Sequence, residues 1–207
     1  MGTVVLLNLA NYAHWIAFPA VAKKAAVYYE VTGDQLDMIP TVSYAVSIPT
    51  CLLATYLVES RGLKVGIRIG SFLTAFGGLL CCLSTFPGLA TYIPINIQYW
   101  MALLGQAATG VACPFISCVP TKVSQHWFPD SQRTMATTVL GMSYPLGIVI
   151  GQGLTPLIIH RPDQIPIMNI IFFIPAAIGA VLGLVLIKSN VPPTPPSSSS
   201  QMCGQKK

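Results

Sequence analysis

V-E-S-R-G-L-K-V-G-I-R, residues 58–68, is a densely charged break between two long stretches of uncharged residues. The charges surround Gly62 and belong to Glu59, Arg61, Lys64 and Arg68. A charge held at the centre of a bilayer costs about 2.5 kcal/mol or more, so a segment of this charge density cannot lie inside a membrane. The sequence therefore predicts a tight turn at a membrane face, joining two spanning helices.

The composition indicates an integral membrane protein. Of the 207 residues, 53% are hydrophobic and only 8% are charged, whereas a soluble domain carries about a quarter charged residues. The net charge of +5 comes from basic residues scattered among the loops, a pattern that sets membrane orientation rather than nucleic-acid binding. We therefore expect the lipid bilayer as a partner, and no nucleic acid.

Six apolar stretches are long enough to cross a bilayer, which takes about 20 residues. They cover residues 3–28, 38–58, 66–86, 96–120, 135–159 and 166–187. The sequence thus predicts an all-α, polytopic membrane protein whose residues 1–188 form one bundle of six transmembrane helices. The Pro- and Ser-rich stretch that follows predicts a disordered cytoplasmic tail over residues 189–207.

Counting the loops alternately separates the charges onto two sides. The side of the charged turn carries Arg61, Lys64, Arg68, Lys122, Arg133 and Lys188, and the other carries Arg161, Glu30, Asp34, Asp37 and Asp163. By the positive-inside rule, the charged turn and both termini are expected to be cytoplasmic. Lys23 and Lys24 do not fit this pattern; their long side chains either snorkel outward or face an aqueous cavity.

The charged turn has an acid followed by basic residues around a glycine, and so resembles the signature turn of the major facilitator superfamily, with Glu59 where Asp is usual. Four stretches resemble the feline leukaemia virus subgroup C receptor-related family, solute carrier family 49: N-Y-A-H-W at 11–15, L-V-E-S-R-G-L-K at 57–64, L-G-Q at 104–106 and W-F-P-D-S-Q-R-T-M-A at 127–136. V-P-P-T-P-P-S at 191–197 resembles its member-3 (MFSD7-type) branch.

The resemblance implies one six-helix half of a secondary transporter, a fold in which two halves hold a solute near the bilayer midplane. It also implies that the solute is a small organic one, a choline-like cation or another metabolite. Because Q-M-C-G-Q-K-K follows Ser200 in place of a second half, we expect a truncated chain that is inactive alone. Its further partner would be a second six-helix half or a full-length relative.

The resemblance makes Trp15 the leading candidate for a solute contact, because the Trp of this motif faces the central cavity in relatives that move choline-like cations. The face of a Trp ring attracts a quaternary ammonium by about 2 kcal/mol or more when water is excluded. The alternative is an aromatic side chain that faces another helix or lipid.

Asn11, His14 and Gln106 are further candidates for solute binding, because polar groups inside a span usually face the protein interior. Each could equally hydrogen-bond a neighbouring helix. Tyr144 is a weaker candidate, placed where relatives carry a polar cavity residue. Relatives have a second Gln two turns beyond Gln106, and Cys113 stands there in this chain, which weakens any expectation of choline selectivity.

The charged residues at the turn are better interpreted as a conformational latch than as a solute site. Such a network at the cytoplasmic face would hold two halves together and break when the cavity opens inward. The predicted members are Glu59, Arg61, Lys64, Asp130 and Arg133, with Arg133 pairing with Asp130 or Glu59. The alternative is a role in orientation only.

Two other functions stay open. A half-bundle whose polar face lipid cannot satisfy would act as a non-transporting protein that binds or regulates a full-length relative. Haem export would use His14 as a ligand, although no second ligand accompanies it. The sequence contains no catalytic grouping, phosphate-binding loop or metal-ligand cluster, so we expect neither an enzyme nor a cofactor or metal.

Overall fold

The computed structural model describes residues 2–186, which are helical apart from short turns and contain no strand. The helices are α1 (Gly2–Ala20), α2 (Ala22–Tyr29), α3 (Gly33–Arg61), α4 (Leu63–Thr85), α5 (Pro87–Ala90), α6 (Ile95–Ser117), α7 (Val119–Trp127), α8 (Asp130–Gly141), α9 (Ser143–Ile158) and α10 (Ile165–Leu186). A 3-10 turn at Pro162–Gln164 precedes α10. The predicted all-α class is confirmed. Lys188 and the expected tail over residues 189–207 lie outside the described residues.

Five stretches in the described chain are long and apolar enough to cross a membrane. They are Gly33–Arg61, Leu63–Thr85, Ile95–Trp127, Asp130–Ile158 and Pro162–Val185. The helices α1 and α2 make a sixth if the bent pair is counted as one span. On that count the prediction of a six-span bundle is confirmed, with α6 joined to α7 and α8 joined to α9.

The charged turn at residues 58–68 is reduced to a single non-helical residue. α3 ends at Arg61, α4 begins at Leu63, and Gly62 between them has φ 88° and ψ 171°. Only glycine adopts this combination at little cost, because a Cβ would clash with the backbone. The glycine therefore permits the abrupt reversal that joins the second and third spans.

The first span differs from the continuous stretch 3–28 that the sequence predicted. α2 leaves α1 at an angle of 75°, with the break at Val21. Pro19 lies two residues before the break, and a proline inside a helix removes one backbone donor and clashes with the carbonyl group a turn earlier. The bend carries Lys23 and Lys24 away from the axis of α1.

The bend also explains the position of Lys24. Its Nζ donates a hydrogen bond to the backbone oxygen of Ile159, the residue that directly follows α9. The last carbonyl groups of a helix lack partners and carry partial negative charge, so a lysine there is stabilising. Lys23, by contrast, is exposed. Lys24 therefore caps a helix, an arrangement that neither explanation offered for the pair had considered.

The bundle is packed around α1, α4 and α6. α4 packs most extensively against α6 and α10, α3 packs against α6, and α1 lies against α9 and α10. Two clusters of buried side chains form the core. One contains Phe18, Tyr29 and Met168 and lies away from the charged turn, and the other contains Leu7, Leu63 and Ile116 and lies near it.

Glycines allow the backbones of these helices to approach closely, as small residues do in membrane bundles. A Cβ at Gly77 would lie 2.5 Å from the backbone oxygen of Gly105, where α4 meets α6. A Cβ at Gly151 would lie 2.7 Å from the backbone oxygen of Ala13, where α9 meets α1. Gly153 has no such neighbour within 4 Å. Within the glycine-rich stretch of α9, Gly151 thus lies against α1, whereas Gly153 lies against no neighbouring helix of the described chain.

Gly151→Ala should destabilise the bundle by about 1–3 kcal/mol, because the added methyl group would overpack against α1. Gly153→Ala is the matched control two residues away. It should leave the free energy of unfolding unchanged or raise it by up to about 1 kcal/mol, since alanine is the better helix former. Thermal unfolding of the 207-residue chain in lipid nanodiscs measures both. Equal melting temperatures for the two variants would contradict the close contact at Gly151.

Candidate functional site

Four side chains lie along one face of α1: Asn8, Asn11, Tyr12 and Trp15. Their spacing of three, four and seven residues brings them onto one side of a helix. Asn8 and Asn11 are each 1% exposed, whereas Tyr12 and Trp15 are half-buried. At 1.5 Å per residue, Asn8 and Trp15 are about 10 Å apart along the helix axis.

A recess of about 170 Å³ opens between α1, α3 and α6 at the Trp15 end of this face. We call it the aromatic recess; it is lined by Asn11, Tyr12, Trp15, Ser43, Tyr44, Ser47, Thr109, Gly110 and Cys113. The rings of Trp15 and Tyr44 meet edge to face, with centroids 4.8 Å apart and an interplanar angle of 85°. Tyr44 is 57% exposed, so the aromatic recess is open on that side.

Asn11 is both a structural tie and a lining residue of the aromatic recess. Its Nδ2 donates to Oγ1 of Thr74 on α4 at 3.1 Å and to the backbone oxygen of Thr109 on α6 at 3.3 Å. Both amide hydrogens are therefore used between helices. What Asn11 can offer a ligand is its carboxamide oxygen, which is a hydrogen-bond acceptor.

His14 and Gln106 lie behind the aromatic recess, in the contact between α1 and α6. They are 1% and 0% exposed, and the Nε2 of Gln106 donates to the backbone oxygen of His14 at 3.2 Å. Neither ring nitrogen of His14 has a hydrogen-bond partner among the described residues. Neither residue lines the aromatic recess. Their predicted contact with a solute stays a prediction, and the geometry gives Gln106 a role in helix packing.

A second recess, of about 330 Å³, lies at the Asn8 end of the same face, and we call it the polar recess. It is lined by Asn8, Tyr12, Ser117, Pro120, Thr121, Thr137, Gly141 and Tyr144. Tyr12 belongs to both recesses, and its ring lies 5.3 Å from that of Tyr144. The predicted cavity residue Tyr144 thus lines the polar recess and is separated from Trp15 by Tyr12.

Tyr12 is held by a directed series of hydrogen bonds. The hydroxyl of Ser117 donates its only hydrogen to the backbone oxygen of Cys113 at 2.8 Å, so the Tyr12 hydroxyl is the donor in its 2.8 Å contact with Oγ of Ser117. The thiol of Cys113 in turn donates to the Tyr12 oxygen at 3.2 Å. The sequence reasoning did not select Tyr12, although its position next to Asn11 and one turn from Asn8 on α1 was a usable signal.

The charged residues expected to form a latch lie at the end of α3 and at the beginnings of α4 and α8. Arg133 pairs with Asp130 at 2.6 Å, which is one of the two partners expected for it, and donates to the backbone oxygen of Gln125 at 3.3 Å. Glu59 pairs instead with Lys122 at 3.7 Å, a residue outside the predicted latch.

The two remaining predicted members of the latch lie beside this network. Arg61 is exposed and Lys64 is half-buried. A latching function for these residues, together with Glu59, Asp130 and Arg133, stays a prediction.

The profile of the Major Facilitator Superfamily matches residues 2–203, and the chain belongs to this superfamily. It is 30% identical over 200 residues to solute carrier family 49 member A3 of Xenopus tropicalis, a match that covers 97% of this chain and 41% of that protein. It is 28% identical over 200 residues to member A3 of Danio rerio, with 97% and 41% covered. It is 26% identical over 196 residues to a choline/ethanolamine transporter of Danio rerio, with 92% and 40% covered.

These matches confirm the resemblance to solute carrier family 49 that the motifs indicated. The chain spans about two fifths of the length of these curated relatives. With its apolar helices, it is a multi-pass membrane protein of a superfamily of transporters.

Glu59→Gln should lower the free energy of unfolding by no more than about 1 kcal/mol, because the Glu59 and Lys122 side chains are 62% and 32% exposed and exposed ion pairs contribute little. Lys122→Gln should give a similar small effect. Chemical unfolding of both variants and of the double variant completes a double-mutant cycle. A coupling energy above about 2 kcal/mol would contradict this and would mean that the pair is desolvated.

Proposed function

We propose that the bundle is one half of a secondary transporter for a small organic cation, and that the aromatic recess is its share of the solute site. One observation carries the proposal: Trp15 and Tyr44 form an edge-to-face pair at an open recess, in a chain of the Major Facilitator Superfamily. Aromatic faces attract cations through the negative potential above the ring, and Trp does so most strongly.

The lining of the aromatic recess favours a cation of low charge density. The described residues that line it include no charged side chain, so an anion would find no cationic partner there. All six acidic residues of the chain lie in turns or near helix ends. Attraction of a cation therefore rests on ring faces and on neutral acceptors such as the carboxamide oxygen of Asn11. A quaternary ammonium group, which is weakly hydrated and has no hydrogen-bond donor, suits such a site.

The relatives support the same class of solute without fixing its identity. One of them is named a choline/ethanolamine transporter. In this chain Cys113 lines the aromatic recess at the position where relatives were expected to carry Gln. A thiol is a weaker hydrogen-bonding group than an amide, so we propose a cation site whose preference among such cations differs from that of the choline transporters.

We further propose that transport requires a second six-helix half. The face that carries both recesses is open, with Tyr44 57% and Tyr144 49% exposed, and transporters of this kind hold the solute between two halves near the midplane. The two halves would rock about the solute. As they do, the charged residues at the end of α3 and at the beginnings of α4 and α8 would make and break contacts. In this proposal the charged turn and both termini face the cytoplasm.

Trp15→Leu should weaken binding of tetramethylammonium about tenfold, since a partly exposed cation–π contact contributes about 1 kcal/mol or somewhat more. Trp100→Leu is the matched control, because Trp100 is 53% exposed on α6 and does not line the aromatic recess. It should leave the dissociation constant within about twofold. Equilibrium binding of the radiolabelled cation to the chain in nanodiscs measures both. Equal effects of the two substitutions would refute the assignment of Trp15.

Uptake into proteoliposomes tests the transport proposal itself. The 207-residue chain is compared with a fusion that adds the second half of a solute carrier family 49 relative. We expect uptake of a small organic cation from the fusion and none from the chain alone. The proposal would be rejected if neither the chain nor the fusion took up the cation and if Trp15→Leu had no effect on binding of tetramethylammonium.

A second candidate function is that of a non-transporting membrane protein that covers its open face with another protein. The hydroxyl-bearing side chain of Tyr44 is 57% exposed on this face, and lipid cannot satisfy its hydroxyl group. Co-purification with a full-length relative would support this function, and a stable detergent-solubilised monomer would oppose it. Haem export gains no support from the site, because His14 is 1% exposed and lines neither recess.

A further inference from the structure

We infer that the polar recess is a second solute-binding site, in which the carboxamide oxygen of Asn8 accepts a hydrogen bond from an N–H or O–H group of the solute. The inference rests on the proposed function, since it concerns the same cation on the same face of α1. It adds a chemically different site about 10 Å from Trp15 along the helix axis. No role had been assigned to Asn8 from the sequence.

The orientation of the Asn8 amide follows from its neighbours. Ser143 donates its single hydroxyl hydrogen to the backbone oxygen of Leu140, so it can only accept from Asn8. The atom of Asn8 that lies 2.9 Å from Oγ of Ser143 is therefore the Nδ2 donor. The other terminal atom of the amide is therefore Oδ1. Without such a neighbour, the assignment of oxygen and nitrogen in an asparagine side chain would stay ambiguous.

Oδ1 of Asn8 has no hydrogen-bond partner among the described residues, although Asn8 is 1% exposed. Leaving a buried polar atom without a partner costs about 1–3 kcal/mol. Asn8 lines the polar recess, which at about 330 Å³ has room for a small solute. A donor group placed in the recess would remove that cost.

Three of the hydroxyl groups that line the polar recess, those of Tyr12, Ser117 and Thr137, have their hydrogens committed within the protein. Tyr12 donates to Ser117, and Ser117 donates to the backbone of Cys113. Thr137 donates to Oγ of Ser124 at 2.6 Å or to the backbone oxygen of Arg133 at 2.9 Å. What these three groups offer a ligand is lone pairs, whereas the hydroxyl groups of Thr121 and Tyr144 can donate as well as accept. With Oδ1 of Asn8, the polar recess has enough acceptors to suit a ligand that donates, such as a primary ammonium or a hydroxyl-bearing cation.

The two recesses therefore divide the recognition of one solute. The aromatic recess attracts positive charge without requiring a hydrogen-bond donor, and the polar recess favours a solute that donates to Oδ1 of Asn8. Because about 10 Å along α1 is longer than a small amino alcohol, such a solute would occupy the two recesses in turn. Tyr12 lines both, so it is the side chain that the solute would pass.

Two probes separate the recesses: ethanolamine, whose ammonium and hydroxyl groups donate hydrogen bonds, and tetramethylammonium, which has no donor. Asn8→Leu should weaken binding of ethanolamine about tenfold, the effect of losing a hydrogen bond to a charged group. It should leave binding of tetramethylammonium within about twofold. Equilibrium binding to the 207-residue chain in nanodiscs gives both dissociation constants. Trp15→Leu should have the opposite effect and weaken binding of tetramethylammonium more than binding of ethanolamine.

Ser143→Ala is the matched control, because it removes the partner of Nδ2 and keeps Oδ1. It should retain ethanolamine binding within about threefold. Circular dichroism and gel filtration establish whether each variant is folded. If Asn8→Leu does not fold, Asn8→Ser replaces it, because this smaller change withdraws the amide acceptor from the recess with less disturbance. An equal loss of both probes would show that Asn8 is only structural and would overturn the inference.

Two further outcomes separate this inference from the proposed function. If Asn8→Leu changes the binding of neither probe while Trp15→Leu weakens binding of tetramethylammonium, the polar recess is not a solute-binding site and the proposed function survives. If the unmodified chain binds neither probe, both are rejected. An effect of Asn8→Leu confined to ethanolamine is the result that the inference requires.

Discussion

The buried amides of α1 hold this helix at the centre of the bundle, and the rest of the structure depends on them. Asn8 bonds to Ser143 on α9, and Asn11 bonds to Thr74 on α4 and to the backbone of α6. Inside a bilayer, helices gain little from the hydrophobic effect against one another, so such bonds and close packing hold them together. None of these ties uses a charged side chain, which lipid would penalise.

The same ties determine which face of α1 stays open. Its packed sides meet α9 and α10, and α9 comes close because Gly147 and Gly151 have no side chain there. The remaining side carries Tyr12 and Trp15, and both recesses lie along it. The position of both recesses therefore follows from how α1 is packed, since the residues that fix the helix lie next to those that line the recesses.

The candidate site could be predicted in part from the sequence. Asn11, Trp15 and Tyr144 do line recesses, whereas His14 and Gln106 lie in the contact between α1 and α6. The reason is that spanning helices are apolar nearly all round, so hydrophobic periodicity does not fix their rotation. Tyr12 and Asn8 were missed for the same reason, because only the packing of α1 brings them to the open face.

The sequence by itself determined the class of this protein: apolar stretches of spanning length, the turn at Gly62 and the motifs of the superfamily are all local properties of neighbouring residues. The tertiary structure alone decided the capping of α9 by Lys24 and the unpaired oxygen of Asn8. The physical reason is separation along the chain. Asn8 and Ser143 are 135 residues apart, and no local pattern of residues encodes which distant helices will meet.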